Sequence, residues 1–143
     1  KIIKKKLNDK IIPILVSIHS FTPIYLGKYR PWHIGLLQRN DQRLSSIFAK
    51  EIKKNKKIVL GINEPYKLDL TGDFTIPFFS ESYGLPHVLI EIRQDLLLKN
   101  KSINFWSNLI SNILNKNYNN DKLNYCLTPS NKIRDYYQNK NKL

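Results

Sequence analysis

The sequence has 143 residues, 41% of them hydrophobic and 24% charged, with a formal net charge of +13. That length suits one domain with a real core, and the apolar fraction excludes wholesale disorder. A single cysteine, Cys126, excludes an internal disulfide framework and any paired-cysteine zinc or redox motif, and no apolar run approaches the ~20 residues of a membrane span.

Lys1 to Lys10 reads as the end of a helix or a polar linker. Ile11 to Ile18 is continuously apolar and rich in β-branched residues, which predicts a strand buried on both faces, as in a parallel sheet covered by helices. Ser20 to Arg30, with Pro23 and Gly27, reads as a long loop, and His33 to Leu37 as a second strand. Asp41 is placed to cap a helix from Gln42 to Lys54 that carries Leu44, Ile47, Phe48 and Ile52 on one face. Ile58 to Gly61 predicts a third strand, Asn63 to Phe79 a turn-rich stretch, and His87 to Ile92 a fourth strand. Ser102 is expected to cap a helix reaching Asn115, with Ile103, Trp106, Leu109, Ile110, Ile113 and Leu114 on its apolar face. From Lys116 the chain turns to Asn, Lys and Tyr, and Asn131 to Gln138 predicts a weak terminal helix. Strands alternating with helices predict an α/β layer architecture. Residues 1–116 read as part of one domain and 117–143 as a polar, basic tail.

The positive charge has two readings. Lys and Arg release counterions from phosphate backbones, which would suit a basic nucleic-acid-binding module. Against this, Lys far outnumbers Arg and travels with Asn and Ile, residues that share A/T-rich codons, while specific readers favour Arg. No nucleic-acid-binding motif accompanies the charge. The chain opens without a secretory signal pattern, so a cytoplasmic setting is expected. It contains no Met and begins at Lys1, which leads us to expect a processed chain or a fragment.

Polar residues gather where the strands end. Glu91 interrupts an apolar strand, and a carboxylate there must be paired, bind a metal or hold a proton. Period-two alternation sets Leu89, Glu91 and Arg93 on one face and Ile90 and Ile92 on the other. An ion pair with Arg93 or with a neighbouring helix would explain Glu91 without catalysis. His19 follows the first strand directly and suits either a loop histidine or a metal ligand, whereas His33 and His87 read as structural and Cys126 as inert.

Four segments carry a family resemblance. They are Ser17-Ile18-His19-Ser20-Phe21-Thr22-Pro23, Arg30-Pro31-Trp32-His33-Ile34-Gly35-Leu36-Leu37, Gly61-Ile62-Asn63-Glu64-Pro65-Tyr66 and Gly84-Leu85-Pro86-His87-Val88-Leu89-Ile90-Glu91-Ile92-Arg93-Gln94-Asp95. In this order they resemble the motifs of the N-formylglutamate amidohydrolase family. The resemblance implies a three-layer, phosphorylase/hydrolase-like α/β fold with a mixed, mostly parallel central sheet, of which this chain would be part. It implies zinc-dependent hydrolysis of the amide of N-formyl-L-glutamate or a related N-acyl amino acid. Carried over by position, His19 would be a zinc ligand and Glu91 the general acid/base. Arg30, Asn63, Glu64 and Arg93 would line the substrate pocket. The family's first two zinc ligands are expected upstream of Lys1. Two positions depart from the pattern: Ile62 replaces the usual acid before Asn63, and Phe78-Phe79 replaces an Arg-His pair. A non-catalytic relative that binds an acidic metabolite through Arg30 and Arg93 is the alternative.

Overall fold

Six strands and five helices form the computed structural model, which describes residues 1–140. A short helix α1 (Ile2–Asn8) leads to strand β1 (Leu15–Phe21). A small hairpin follows, β2 (Ile24–Tyr25) and β3 (Lys28–Tyr29), then β4 (Ile34–Leu37) and helix α2 (Arg43–Ile52). Strand β5 (Leu60–Ile62) and the one-turn helix α3 (Thr75–Phe79) precede the central strand β6 (His87–Arg93). Helices α4 (Asn100–Asn117) and α5 (Asn131–Lys140) complete the described chain.

The main sheet runs in the order β1-β6-β4-β5. The β1–β6 and β4–β5 pairs are parallel and β4–β6 is antiparallel, so the sheet is mixed and mostly parallel, as expected. Every residue of β6 is buried, because it is flanked by strands on both sides and covered on both faces. On one face Val88, Ile90 and Ile92 join Ile34 and Leu36 against Leu44, Phe48 and Ile52 of α2 and Trp106, Ile110 and Ile113 of α4. On the other, Leu37 and Leu89 pack with Leu68 and Ile76 beneath the segment that carries α3. These are the three layers. The period-two alternation read from the sequence therefore holds, and it leaves Glu91 on the α3 side.

Several expectations shift for local reasons. The first strand begins at Leu15, not Ile11, and runs on to Phe21, which pairs with Arg93. Pro13 has no N–H to give a ladder. The strand is also not buried on both faces: it is an edge, with Ile18, His19 and Ser20 exposed. The expected loop after it contains the β2–β3 hairpin, turned by Leu26 and Gly27, both at positive φ as a two-residue hairpin turn requires. Asp41 stands one residue before the N-cap, Gln42, and accepts the Arg43 N–H at 3.0 Å. Ser102 lies inside the first turn of α4, which starts at Asn100 straight after the turn that follows β6.

The segment after α4 packs back onto the body. Leu123 is buried with the α2–α4 core, and Ile133 and Tyr137 of α5 are buried too. Gly84 makes this docking fit. It sits at φ 68°, where a side chain is strained, and a Cβ there would stand 2.0 Å from the Leu127 carbonyl oxygen. The Leu127 N–H donates to the Gly84 carbonyl at 2.8 Å. Arg43 ties the same region together, donating to the carbonyls of Gly84, Lys122 and Tyr125 while paired with Asp41. Among the described residues no helix is long and apolar enough to cross a membrane.

Candidate active site

Parallel pairing sets His19 of β1 directly beside Glu91 of β6. The His19 Nδ1 lies 3.9 Å from Glu91 Oε1, and its Nε2 is in hydrogen-bond contact with Ser17 Oγ at 3.0 Å. The two differ sharply in exposure: the His19 side chain is half exposed, whereas Glu91 is only 5% exposed. The second carboxylate oxygen of Glu91, Oε2, is buried without a hydrogen-bond partner. Burial therefore pushes the Glu91 carboxyl up to about 7, helped by the negative charge of Asp73 and opposed by the positive charge of Arg30. A carboxyl with that affinity is part protonated at neutral pH and can both take and return a proton.

The other side of Glu91 faces Gly35 of β4. A Cβ on Gly35 would stand 1.9 Å from the Glu64 main-chain oxygen and 3.4 Å from the Glu91 Cβ. Glycine at this point lets the 63–66 loop close over the sheet next to the buried carboxylate. Asn63 builds that loop. It adopts φ 54°, a conformation Asn tolerates, its Oδ1 accepts the Gln38 N–H at 2.8 Å, and its own N–H donates to Leu36. The Asn63 side-chain carbonyl is thus spent on the backbone. The half-buried Glu64 side chain makes no hydrogen bond or ion pair among the described residues, and the Glu64–Pro65 peptide bond is cis.

The two arginines expected in the pocket have different surroundings. Arg93 is buried and heavily engaged: Nε and Nη2 bind Asp95 at 2.8 and 3.2 Å, and Nη1 donates to Tyr29 Oη and to the carbonyls of Arg30, Pro31 and Trp32. It clamps the chain leading into β4. Arg30 is also buried, held by the rings of Tyr25 at 4.6 Å and Tyr66 at 4.8 Å. Its Nη1 donates to Thr22 and to Tyr66 Oη, but among the described residues Nε and Nη2 make no hydrogen bond. Arg30 therefore keeps more donors for a carboxylate near Glu91 than Arg93, whose three nitrogens are all engaged.

Sequence reasoning did not single out Gly35, Tyr25, Tyr66 or Asp73. Gly35 and Tyr66 lie inside two of the quoted motifs, and a glycine within an apolar strand signals a close backbone approach. Tyr25 and Asp73 sit in stretches read only as loops, where nothing local marks them.

His33 and His87 fit structural roles. The His33 Nδ1 accepts the Val59 N–H at 3.1 Å, and the buried His87 Nδ1 contacts the Leu85 carbonyl at 2.8 Å. Burial raises the Cys126 thiol above its ordinary value, against the pull of Arg43. Phe78 and Phe79, where the family pattern has Arg-His, belong to an aromatic cluster with Phe74 and Tyr137.

The donor set falls short of a zinc site. Catalytic zinc takes three protein ligands. Among the described residues there is no group of three or more His, Cys, Asp or Glu placed to hold a metal ion. Among the described residues His19 is the single imidazole beside Glu91.

The scaffold is a mixed, layered α/β sheet with a buried carboxyl, Glu91, on its central strand. Residues 2–98 match the N-formylglutamate amidohydrolase family, and the chain belongs to that family. The structure is similar to the crystal structure of gene product Atu2144 from Agrobacterium tumefaciens, with a TM-score of 0.69 and 29% sequence identity. The match covers 80% of this chain and 47% of that one, so this chain spans about half the length of that relative. No curated protein sequence matches it.

Proposed function

We propose that this chain carries the acid/base half of an amidohydrolase site that cleaves N-formyl-L-glutamate or a related N-acyl amino acid. The observation that supports it most is Glu91: buried, with one oxygen unpartnered, and pushed up to about 7. In this reading the Glu91 carboxylate takes a proton from water as the oxygen bonds to the acyl carbon. It then gives that proton to the amide nitrogen as the C–N bond breaks, releasing formate and the free amino acid. The free donors of Arg30 would hold a substrate carboxylate, and the Tyr25 and Tyr66 rings would keep the guanidinium in place. Zinc belongs to the proposal only as an ion for which His19 would be one ligand.

The test is formate release from N-formyl-L-glutamate by the native protein and by Glu91→Gln. Turnover should fall by at least about 100-fold in the variant, with an unchanged far-ultraviolet circular dichroism spectrum. Wild-type turnover in the variant, or none in the full-length protein, overturns the reading. The second reading, a non-catalytic binder of an acidic metabolite, is favoured by the same free donors of Arg30. It expects N-formyl-L-glutamate to bind in the presence of a chelator without being hydrolysed.

A further inference from the structure

We propose that a hollow at the start of α4, on the face of the sheet away from Glu91, is a second binding site, which takes a small aromatic phosphate of the mononucleotide kind.

The apolar part comes first. Ile58, Leu96 and Trp106 belong to the core on the α2–α4 side of the sheet, whereas Glu91 lies on the α3 side with Leu89. These three residues border a hollow of about 410 Å³, with Lys57, Lys101 and Phe105 also in its lining. Small-molecule sites of this size are mostly apolar, with a few polar groups to fix the ligand. Phe105 is 44% exposed while Trp106 beside it is only 5% exposed, and the two rings meet edge-on at 5.1 Å. An exposed ring braced by a buried one offers a flat face on which another ring can stack. The Trp106 indole N–H makes no hydrogen bond among the described residues, so the lining also holds a buried, uncommitted donor.

The polar groups decide the charge of the ligand. Among the described residues no acid and no arginine lines the hollow, and Lys57 and Lys101 form no ion pair. Burial and Arg93 hold His33 below its ordinary value, so its ring adds no charge at neutral pH. Asp95, the acid that His33 feels, is paired with Arg93. Asn55 spends its side-chain oxygen on the Lys57 N–H, at 3.1 Å, which leaves its amide to donate. The start of α4 agrees with this: Lys99 at the N-cap gives no side-chain bond, and the first turn has no acid. The lining therefore asks for an acceptor with negative charge. A carboxylate is best held by the flat fork of an arginine, which the lining lacks, whereas a phosphate suits the point charges of two lysines. Ring and phosphate together describe one nucleotide. Nothing in this argument rests on the hydrolase reading.

Amide and indole chemical shifts test it, followed by nuclear magnetic resonance while this chain is titrated with adenosine monophosphate. The Trp106 indole N–H and the amides of residues 55–58 and 101–106 should move together. Adenosine monophosphate should bind about ten-fold or more tightly than adenosine or inorganic phosphate, each of which carries one half of the ligand. Lys101→Glu and Phe105→Ala, both at exposed positions, should each weaken it by about ten-fold or more and leave the rest of the amide spectrum in place. Lys5→Glu, on α1, makes the same change in net charge and should keep binding within about two-fold at physiological salt. Binding no tighter than that of adenosine or of phosphate overturns the proposal. Equal weakening by Lys5→Glu does so too, since attraction to a chain of net charge +13 would then account for it. Shifts centred on Tyr25, Arg30 and Tyr66 would place the phosphate at the other site and also overturn it. An oligoadenylate that moves the same residues at lower concentration than adenosine monophosphate has the same effect, because the ligand would then be a nucleic-acid strand.

Discussion

The Glu64 carbonyl oxygen occupies the space where a Cβ on Gly35 would stand, 1.9 Å away. The contact fixes how near the 63–66 loop comes to β4, and so how closed the ground around Glu91 is. Gly35→Ala cannot be absorbed by a side-chain rotation, because the obstacle is backbone. The substitution should destabilise the chain by at least about 2 kcal/mol and displace the loop. Urea denaturation gives the first quantity, and amide chemical shifts of residues 63–66 the second. A stability within about 0.5 kcal/mol of wild type, the error of such curves, would show that the loop does not press on Gly35.

Glu91 predicts a pH signature that separates it from a structural ion pair. Its folded-state affinity, about 7, lies above the ordinary glutamate value of 4.5. The folded chain therefore holds a proton that the unfolded chain has lost between those two pH values. Stability falls as pH rises through that window, and the loss is complete above about 7. Glu91→Gln removes the ionisation but keeps the shape. Relative to wild type it should gain about 1–3 kcal/mol between pH 5 and pH 8 while losing turnover. Equal differences at both pH values would show that burial does not raise this carboxyl.

The arginines should separate in opposite directions. Arg93→Lys gives up the fork on Asp95 and bonds to the carbonyls of residues 30–32, so it should cost about 2 kcal/mol or more of stability. Arg30→Lys keeps the charge among Tyr25 and Tyr66 but loses the fork that would hold a carboxylate. It should raise KM for N-formyl-L-glutamate by about ten-fold with a smaller change in melting temperature. If Arg93→Lys raises KM and leaves the melting temperature alone, the two roles are exchanged.

Much of this was legible in the sequence because it depends on local pattern. The β6 run from His87 to Ile92 announces a covered strand, and Glu91 stands out as the one acid within it. Pairing between strands is not local. Nothing near Ile18 says that β1 is an edge, and its apolar run reads the same whether or not another strand lies beside it. Arg30 and Arg93 were equivalent as residue types, and only their partners told them apart. The division at residue 116 followed composition. Leu123 joins the α2–α4 core and Tyr137 packs against Phe74 and Phe78, contacts that composition does not show.

Those contacts give the terminal helix a measurable role. The Tyr137 ring meets Phe74 and Phe78 edge-on, at 5.1 and 5.6 Å, and its hydroxyl donates to the carbonyls of Leu70 and Asp73. Phe78 lies where the family pattern would put a polar residue, so the aromatic cluster supplies apolar contact where the resemblance implied a charged side chain. Tyr137→Phe loses the hydroxyl alone and should cost about 1 kcal/mol. Tyr137→Ala loses the ring as well and should cost about 3–5 kcal/mol. The Asp73 end of this contact is also one that Glu91 feels, so the alanine variant, by freeing the 70–73 turn, should lower the Glu91 carboxyl from about 7. Carbon-13 titration of the glutamate carboxyls in both variants reads that directly. An unmoved Glu91 titration in Tyr137→Ala would show that α5 stabilises the fold without reaching the site.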